Sequence, residues 1–198
     1  NKLPNDYSFT EGYELLMREY NNFRSPPYKK PTTLQLGAIK QAHSVFQPRH
    51  IKSVSCTIAS ESHICELVEA LQAAGGGSLD PITVYWTGQA YRVIDGHHRR
   101  EAYLRYYRDK PTQIIPVHTF EGTPDEAIQK AIELNSKNHL PITKDERFDR
   151  AWLMVIMGIG SKSSVSKACK IGTSTFSAMR KTLEQYREKY PEDWQEVA

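Results

Sequence analysis

The residues with the clearest chemical potential lie between positions 91 and 102, where an apolar strand pattern ends at Asp95 and Gly96. A strand that passes through glycine into a helix presents backbone N–H groups at the helix start, where they can hold a phosphate or a carboxylate. The donors that follow are the side chains of His97, His98, Arg99 and Arg100. Positive charge and the planar fork of arginine suit a phosphate. The segment therefore predicts an anion-binding site.

Acid–base or metal chemistry is a second interpretation of the same segment. Histidine titrates near neutral pH, so His97 and His98 are candidate catalytic acids or bases. Asp95 is a candidate magnesium ligand, and Glu133 on a later helix is another. A zinc site built on the two histidines is disfavoured, because adjacent side chains diverge on a helix.

The structural alternative is a surface turn that is followed by a basic first turn of a helix. Cations in that position oppose the helix macrodipole, which is locally unfavourable. The presence of Arg99 and Arg100 there therefore favours an anionic partner over the purely structural interpretation.

The composition indicates a folded protein rather than a membrane-spanning or a disordered one. Hydrophobic residues make up 39 % and charged residues 25 % of the chain, and no apolar run approaches the roughly 20 residues that a membrane span needs. The three cysteines, Cys56, Cys65 and Cys169, match neither a zinc motif nor a disulfide framework. The first residues lack the order of a secretory signal, and we expect a cytoplasmic protein.

Hydrophobic periodicity divides the chain into a mixed part and a helical part. In the mixed part, helices are predicted at 10–20, from Ser60 or Ser62 to 74, at 97–107 and at 123–136, and strands at 34–39, 81–86, 90–94 and 113–120. Thr87-Gly88-Gln89 joins the middle two strands as a hairpin. Beyond Pro141 only helices are expected: one capped by Thr143 and Glu146 and ended by Gly158, then 161–170 and 174–190.

Several ordered motifs together resemble a known family. They are Phe46-Gln47-Pro48-Arg49, a helix, Pro81-Ile82-Thr83-Val84, and the run from Val93 to Ala102. This order resembles the ParB/sulfiredoxin-type domain over about residues 34–120, and the helical part through about Leu183 resembles the segment that follows it in ParB proteins. The resemblance implies an α+β fold with three parts: an N-terminal helical extension (1–32), a ParB-like domain with a small mixed sheet (33–122), and an all-α helix-turn-helix domain (123–198).

The resemblance also implies a nucleotide site, for CTP or ATP with Mg²⁺. The residues that it assigns to nucleotide or metal are Gln47, Arg49, Asp95, Gly96, His97, His98, Arg99, Arg100, Glu133 and Asn135. His97 stands where partition proteins typically carry a metal-contacting Glu, and His98 where they carry Arg. Sulfiredoxin activity needs a cysteine in this turn, which this sequence lacks.

The C-terminal helices carry a helix-turn-helix pattern. Ala168 and Gly172 have the spacing of a small residue at a helix crossing and a glycine that makes the turn. Between residues 137 and 189 there are eleven Lys and Arg against five Asp and Glu, a net charge of +6. The residues expected to face DNA are Lys170, Thr173, Ser174, Thr175, Ser177, Arg180 and Lys181. A helical bundle with ordinary solvated charges is the alternative.

Three functions remain open at this point. The first is a DNA-binding, homodimeric protein of plasmid or chromosome partition, or of transcriptional regulation, gated by a nucleotide. The second is an enzyme of the same fold, a nuclease, an NTPase or a small-molecule kinase, with His97, His98 and Glu133 as catalytic residues. The third is an interaction module that binds no nucleotide.

Overall fold

The computed structural model describes residues 7–22, 30–47, 54–108, 110–135 and 143–191. These residues form eight α-helices and a mixed five-stranded sheet, which confirms the α+β class. The chain divides into two compact units, residues 1–128 and 129–198. Within the described ranges, no helix combines the length and apolar character that a membrane crossing requires.

The first unit is built on the sheet, whose strands lie in the order β1-β5-β3-β4-β2. The strands are β1 (Thr33–Gln35), β2 (Ile39–Lys40), β3 (Ile82–Trp86), β4 (Tyr91–Asp95) and β5 (Ile114–Phe120). The helices are α1 (Phe9–Asn22), α2 (His43–Phe46), α3 (Val54–Ala73), α4 (His97–Tyr106) and α5 (Pro124–Asn135), which continues into the second unit. Pairing is antiparallel for β1–β5 and β3–β4, and parallel for β3–β5 and β2–β4.

The β3–β4 hairpin confirms the strongest local prediction. Thr87 N donates to the carbonyl oxygen of Ala90 at 3.0 Å, and Gly88 adopts a φ of 93°, which favours glycine. Strand β3 is buried along four of its five residues, as a central strand covered on both faces should be. The sheet therefore places the end of β4, and the turn at Gly96, beside the core.

Two predicted elements differ from the structure. The strand expected at 34–39 is interrupted by a 3-10 turn at Leu36–Ala38, where the backbone N–H groups of Leu36 and Gly37 donate to the carbonyls of Gln113 and Pro111. These long-range partners stop the strand. Helix α3 begins at Val54, upstream of the serines expected to cap it, so Ser60 lies inside the helix.

Helix α1 packs as part of the first unit. Its buried residues are Phe9, Gly12, Leu16 and Glu19, and Tyr13 and Tyr20 are half-buried. A Cβ atom added at Gly12 would clash with the Ser44 hydroxyl, so this glycine permits the close approach of α1 and α2. Tyr13 also donates its hydroxyl proton to Asp125 at 2.9 Å.

Three helices that follow α5 along the described part of the second unit each contact the other two. They are α6 (Lys144–Met157), α7 (Lys162–Cys169) and α8 (Thr173–Lys189). The capping box at the start of α6 is present as predicted, and Gly158 ends that helix in the left-handed conformation. Cys169 is fully buried, and burial raises the pKa of its thiol to about 12, so this thiol is chemically inert.

The turn between α7 and α8 differs from the predicted one in the residue that makes it. Lys170 has the left-handed conformation (φ 51°, ψ 46°), whereas Gly172 is extended (φ −66°) and precedes the first residue of α8. Ile171 N donates to Ser166 O at 3.0 Å and Lys170 N donates to Lys167 O at 3.3 Å, which is the Schellman arrangement. Gly172 is therefore not required for the backbone of this turn.

Replacing Lys170 by glycine is expected to stabilise the second unit by about 0.5–1 kcal/mol, because an L-residue with a side chain is strained at positive φ. The matched control is Lys167→Gly, the same change at an exposed position inside α7, which should cost about 1 kcal/mol. Thermal unfolding measures both. Equal destabilisation by the two glycines would contradict the assignment of Lys170 to the turn.

Candidate anion and nucleic-acid sites

The turn after β4 has the strand-glycine-helix form that the sequence predicts. Gly96 precedes α4 with φ 97° and ψ 29°, a conformation that L side chains rarely adopt. Arg100 N donates to Gly96 O at 2.9 Å and closes the first turn of the helix. Glycine carries no side chain that could cap the first-turn amides of this helix.

Arg99 is held by protein groups at this turn. Its guanidinium donates to Asp95 Oδ2 at 2.6 Å and to the carbonyl oxygens of Pro81 at 2.7 Å and Asp80 at 3.2 Å. A Cβ atom at Gly96 would lie 3.1 Å from Arg99 Nε, so the side chain passes directly over the glycine. Arg99 thus connects Asp95 at the end of β4 to the backbone of residues 80 and 81, and it also places positive charge at the turn.

Arg100 also has a protein partner, since its Nε donates to Ile39 O at 3.0 Å. Burial lowers the pKa of this guanidinium. Asp95 and backbone carbonyls therefore compensate both first-turn arginines, which do not require an external anion.

His97 lies at the contact between α4 and α2. Its ring centroid is 4.8 Å from that of His43, the first residue of α2. Burial, and secondarily the charge of Arg100, lowers the pKa of His43, which favours the neutral ring. Gln47 follows α2 as a buried residue with an extended backbone. The segment that ends at Gln47 and the Gly96 turn are thus close together. The predicted Arg49 lies outside the described residues.

His98 faces helix α3. Its Nε2 lies 2.7 Å from Ser60 Oγ, and its ring meets that of His63 edge-on with centroids 5.4 Å apart. Ser60 was predicted only as a helix cap, and no role was predicted for His63. The spacing of Ser60 and His63 indicated that they lie together, because residues three apart share one face of a helix.

Asp95 and Glu133, the two predicted magnesium ligands, each lie beside a cationic side chain. Among the described residues, no three His, Cys, Asp or Glu side chains are grouped so that they could hold a metal. The carboxylate of Asp95 is paired with Arg99. Glu133 lies 3.9 Å from Lys130, and Asn135 donates to Ala131 O at 2.8 Å; both belong to the second unit.

Two pockets in the described part of the chain have no lining residue from the turn at positions 95–100. One, of about 130 Å³, is lined by residues of α1, the segment 41–44 and Arg92. The other, of about 230 Å³, lies between the end of α6 and α8. Of the predicted site residues, the two pockets include only Arg180, so neither corresponds to the predicted nucleotide site.

Helix α8 exposes most of the residues expected to face DNA. Lys170, Thr173, Ser174, Ser177, Arg180 and Lys181 are exposed, and Thr175 is half-buried. Between Asp149 and Glu184 the chain has six Lys and Arg and neither Asp nor Glu. Five of these cations are exposed, since only Arg150 is buried. The α7–α8 surface is therefore basic and lined with short hydroxyls.

No protein-family model matches the sequence, and no curated protein matches it.

Proposed function

We propose that this chain is a DNA-binding protein of the ParB-like type, acting in partition or transcriptional regulation, with a nucleotide site at the Gly96 turn. The observation that carries the DNA-binding part is the exposed α7–α8 surface, which combines five cations with short hydroxyl side chains and lacks acidic residues until Glu184.

The chemistry of this surface suits double-stranded DNA. The α7–turn–α8 segment is two helices joined by a short turn, as in helix-turn-helix proteins, where the second helix enters the major groove. Thr173, Ser174 and Ser177 lie in the first turns of α8, where hydroxyls and helix amides contact phosphates and base edges. Arg180 and Lys181 follow one turn later and add electrostatic attraction.

The nucleotide part of the proposal rests on the resemblance and on the donors at the turn. Successive elements carry the motifs in the order that the resemblance requires: Gln47 after α2, then β3, β4 and the start of α4. His97 is in ring contact with the segment that leads to Gln47. The choice between CTP and ATP, and the homodimer, follow from the resemblance alone.

Alanine at both Arg180 and Lys181 is expected to weaken duplex binding and to reduce the slope of log K against log salt by about two, since each lost phosphate contact removes about one. Fluorescence anisotropy of a labelled duplex over a series of salt concentrations measures this. The matched control replaces two exposed cations of the first unit, Lys40 and Lys110, with alanine. Equal slopes for wild type and the Arg180/Lys181 variant would contradict the proposal.

A further inference from the structure

The contact between Ser60 and His98 is the pairing of a hydroxyl with a base. Ser60 Oγ and His98 Nε2 are 2.7 Å apart, and neither residue is fully buried. In the tautomer with the proton on Nδ1, Ser60 donates its hydroxyl proton to Nε2. This is the geometry by which histidine activates a serine nucleophile. The two residues are 38 positions apart and are joined by the packing of α3 against α4.

Anionic and aromatic groups surround this pair. Glu61, next to Ser60 on α3, receives two hydrogen bonds from Arg105 at 2.9 and 3.1 Å. These bonds lower the pKa of Glu61, to which the nearby His98 also contributes. The carboxylate therefore stays ionised close to His98. The ring of His63 contacts the His98 ring edge-on.

His98 is also the second residue of α4, so it stands in the helix turn where the proposed function places the nucleotide phosphates. A nucleophile and its base thus lie beside a helix N-terminus that attracts negative charge.

The geometry points to Ser60 as a phosphoryl acceptor, phosphorylated by the nucleoside triphosphate that the proposed function places at the Gly96 turn. The Ser60 oxygen forms a bond to the γ-phosphorus while the bond from that phosphorus to the β,γ-bridging oxygen breaks. The serine proton passes to His98 Nε2, and the nucleoside diphosphate leaves. The products are phosphoserine at position 60 and a free nucleoside diphosphate. This step rests on the proposed function for its donor and adds to it a covalent, self-modifying activity.

Incubation of the full chain with CTP or ATP labelled in the γ-phosphate, supplied as its magnesium complex, tests this step. Wild type is expected to gain one acid-stable label, which peptide mass spectrometry assigns to Ser60. Ser60→Ala should gain none, and alanine is well tolerated inside a helix. His98→Gln keeps a polar side chain but cannot take the proton, and it should be labelled about 100-fold more slowly. Ser62→Ala, at an exposed position on the same helix, should match wild type.

Nucleotide binding, measured separately by isothermal titration, distinguishes this step from the proposed function. Binding without any label in wild type would overturn the phosphoryl transfer and leave the nucleotide site standing. Equal labelling of Ser60→Ala and wild type, or an acid-labile label on histidine, would also overturn it. Absence of both binding and label would overturn the transfer and the nucleotide site together.

Discussion

Replacement of Glu19 by alanine is expected to destabilise the first unit by about 3 kcal/mol, because it leaves Arg92, whose side chain is only 14 % exposed, without its counter-charge. Glu19 is 5 % exposed. It accepts hydrogen bonds from Nε of Arg92, at 2.9 Å, and from Nη2, and Arg92 also donates to Gln41 O at 3.1 Å. Hydrogen exchange of the β3 and β4 amides reports the loss in this unit specifically.

Two further variants isolate the cause. Glu14→Ala removes an exposed carboxylate from the same helix and should change stability by less than about 0.5 kcal/mol. Replacing Glu19 and Arg92 together by methionine should recover most of the loss, since apolar residues of similar size can substitute for a buried ion pair. If Glu19→Ala and Glu14→Ala prove equally mild, the ion pair does not hold α1 to the sheet.

Replacement of Gly96 by alanine is the second change for which we expect a large effect, on both stability and nucleotide affinity. We expect a loss of about 1–3 kcal/mol from backbone strain at φ 97°, and a further loss because the new Cβ displaces Arg99 from the buried Asp95. Distortion of the turn should also remove nucleotide affinity. Thermal unfolding and titration with CTP, ATP and GTP measure the two consequences.

Gly88→Ala is the matched control for this variant. Gly88 has a φ of 93° in the hairpin, so alanine there carries similar strain at a site that the nucleotide should not touch. Both variants should lose stability, and only Gly96→Ala should lose nucleotide binding. Retained affinity in Gly96→Ala would refute the nucleotide site while leaving the strain argument intact.

Local signals in the sequence were sufficient for most of the elements. The hairpin at Thr87 to Ala90, the start of α5 at Pro124 and the capping box at Thr143 are encoded within a few residues. The start of α3 was missed because Ser60 and Ser62 were interpreted as capping residues, whereas the helix already begins at Val54. The positive φ of Lys170 was missed because glycine is the usual residue in that conformation, and Gly172 stands two positions away.

The candidate site was only partly predictable, because its partners are distant in sequence. Nothing near Arg99 indicates that the carbonyls of Asp80 and Pro81 receive its guanidinium, 18 or 19 residues away. The Ser60–His98 contact likewise depends on how two helices pack. Residue types at the turn led to the prediction of anion chemistry, whereas the internal compensation of its arginines could be seen only in the three-dimensional arrangement.

The ion pair between α1 and β4 has a practical consequence for dividing this protein into fragments. A fragment that began at residue 33, where the resemblance starts the ParB-like domain, would lack α1 and would uncover the guanidinium of Arg92 and the pocket-lining residues Gln41, Ala42 and Ser44. Four residues after Arg92, the chain reaches Gly96 and its turn. Fragments meant to retain ligand binding should therefore start upstream of Phe9.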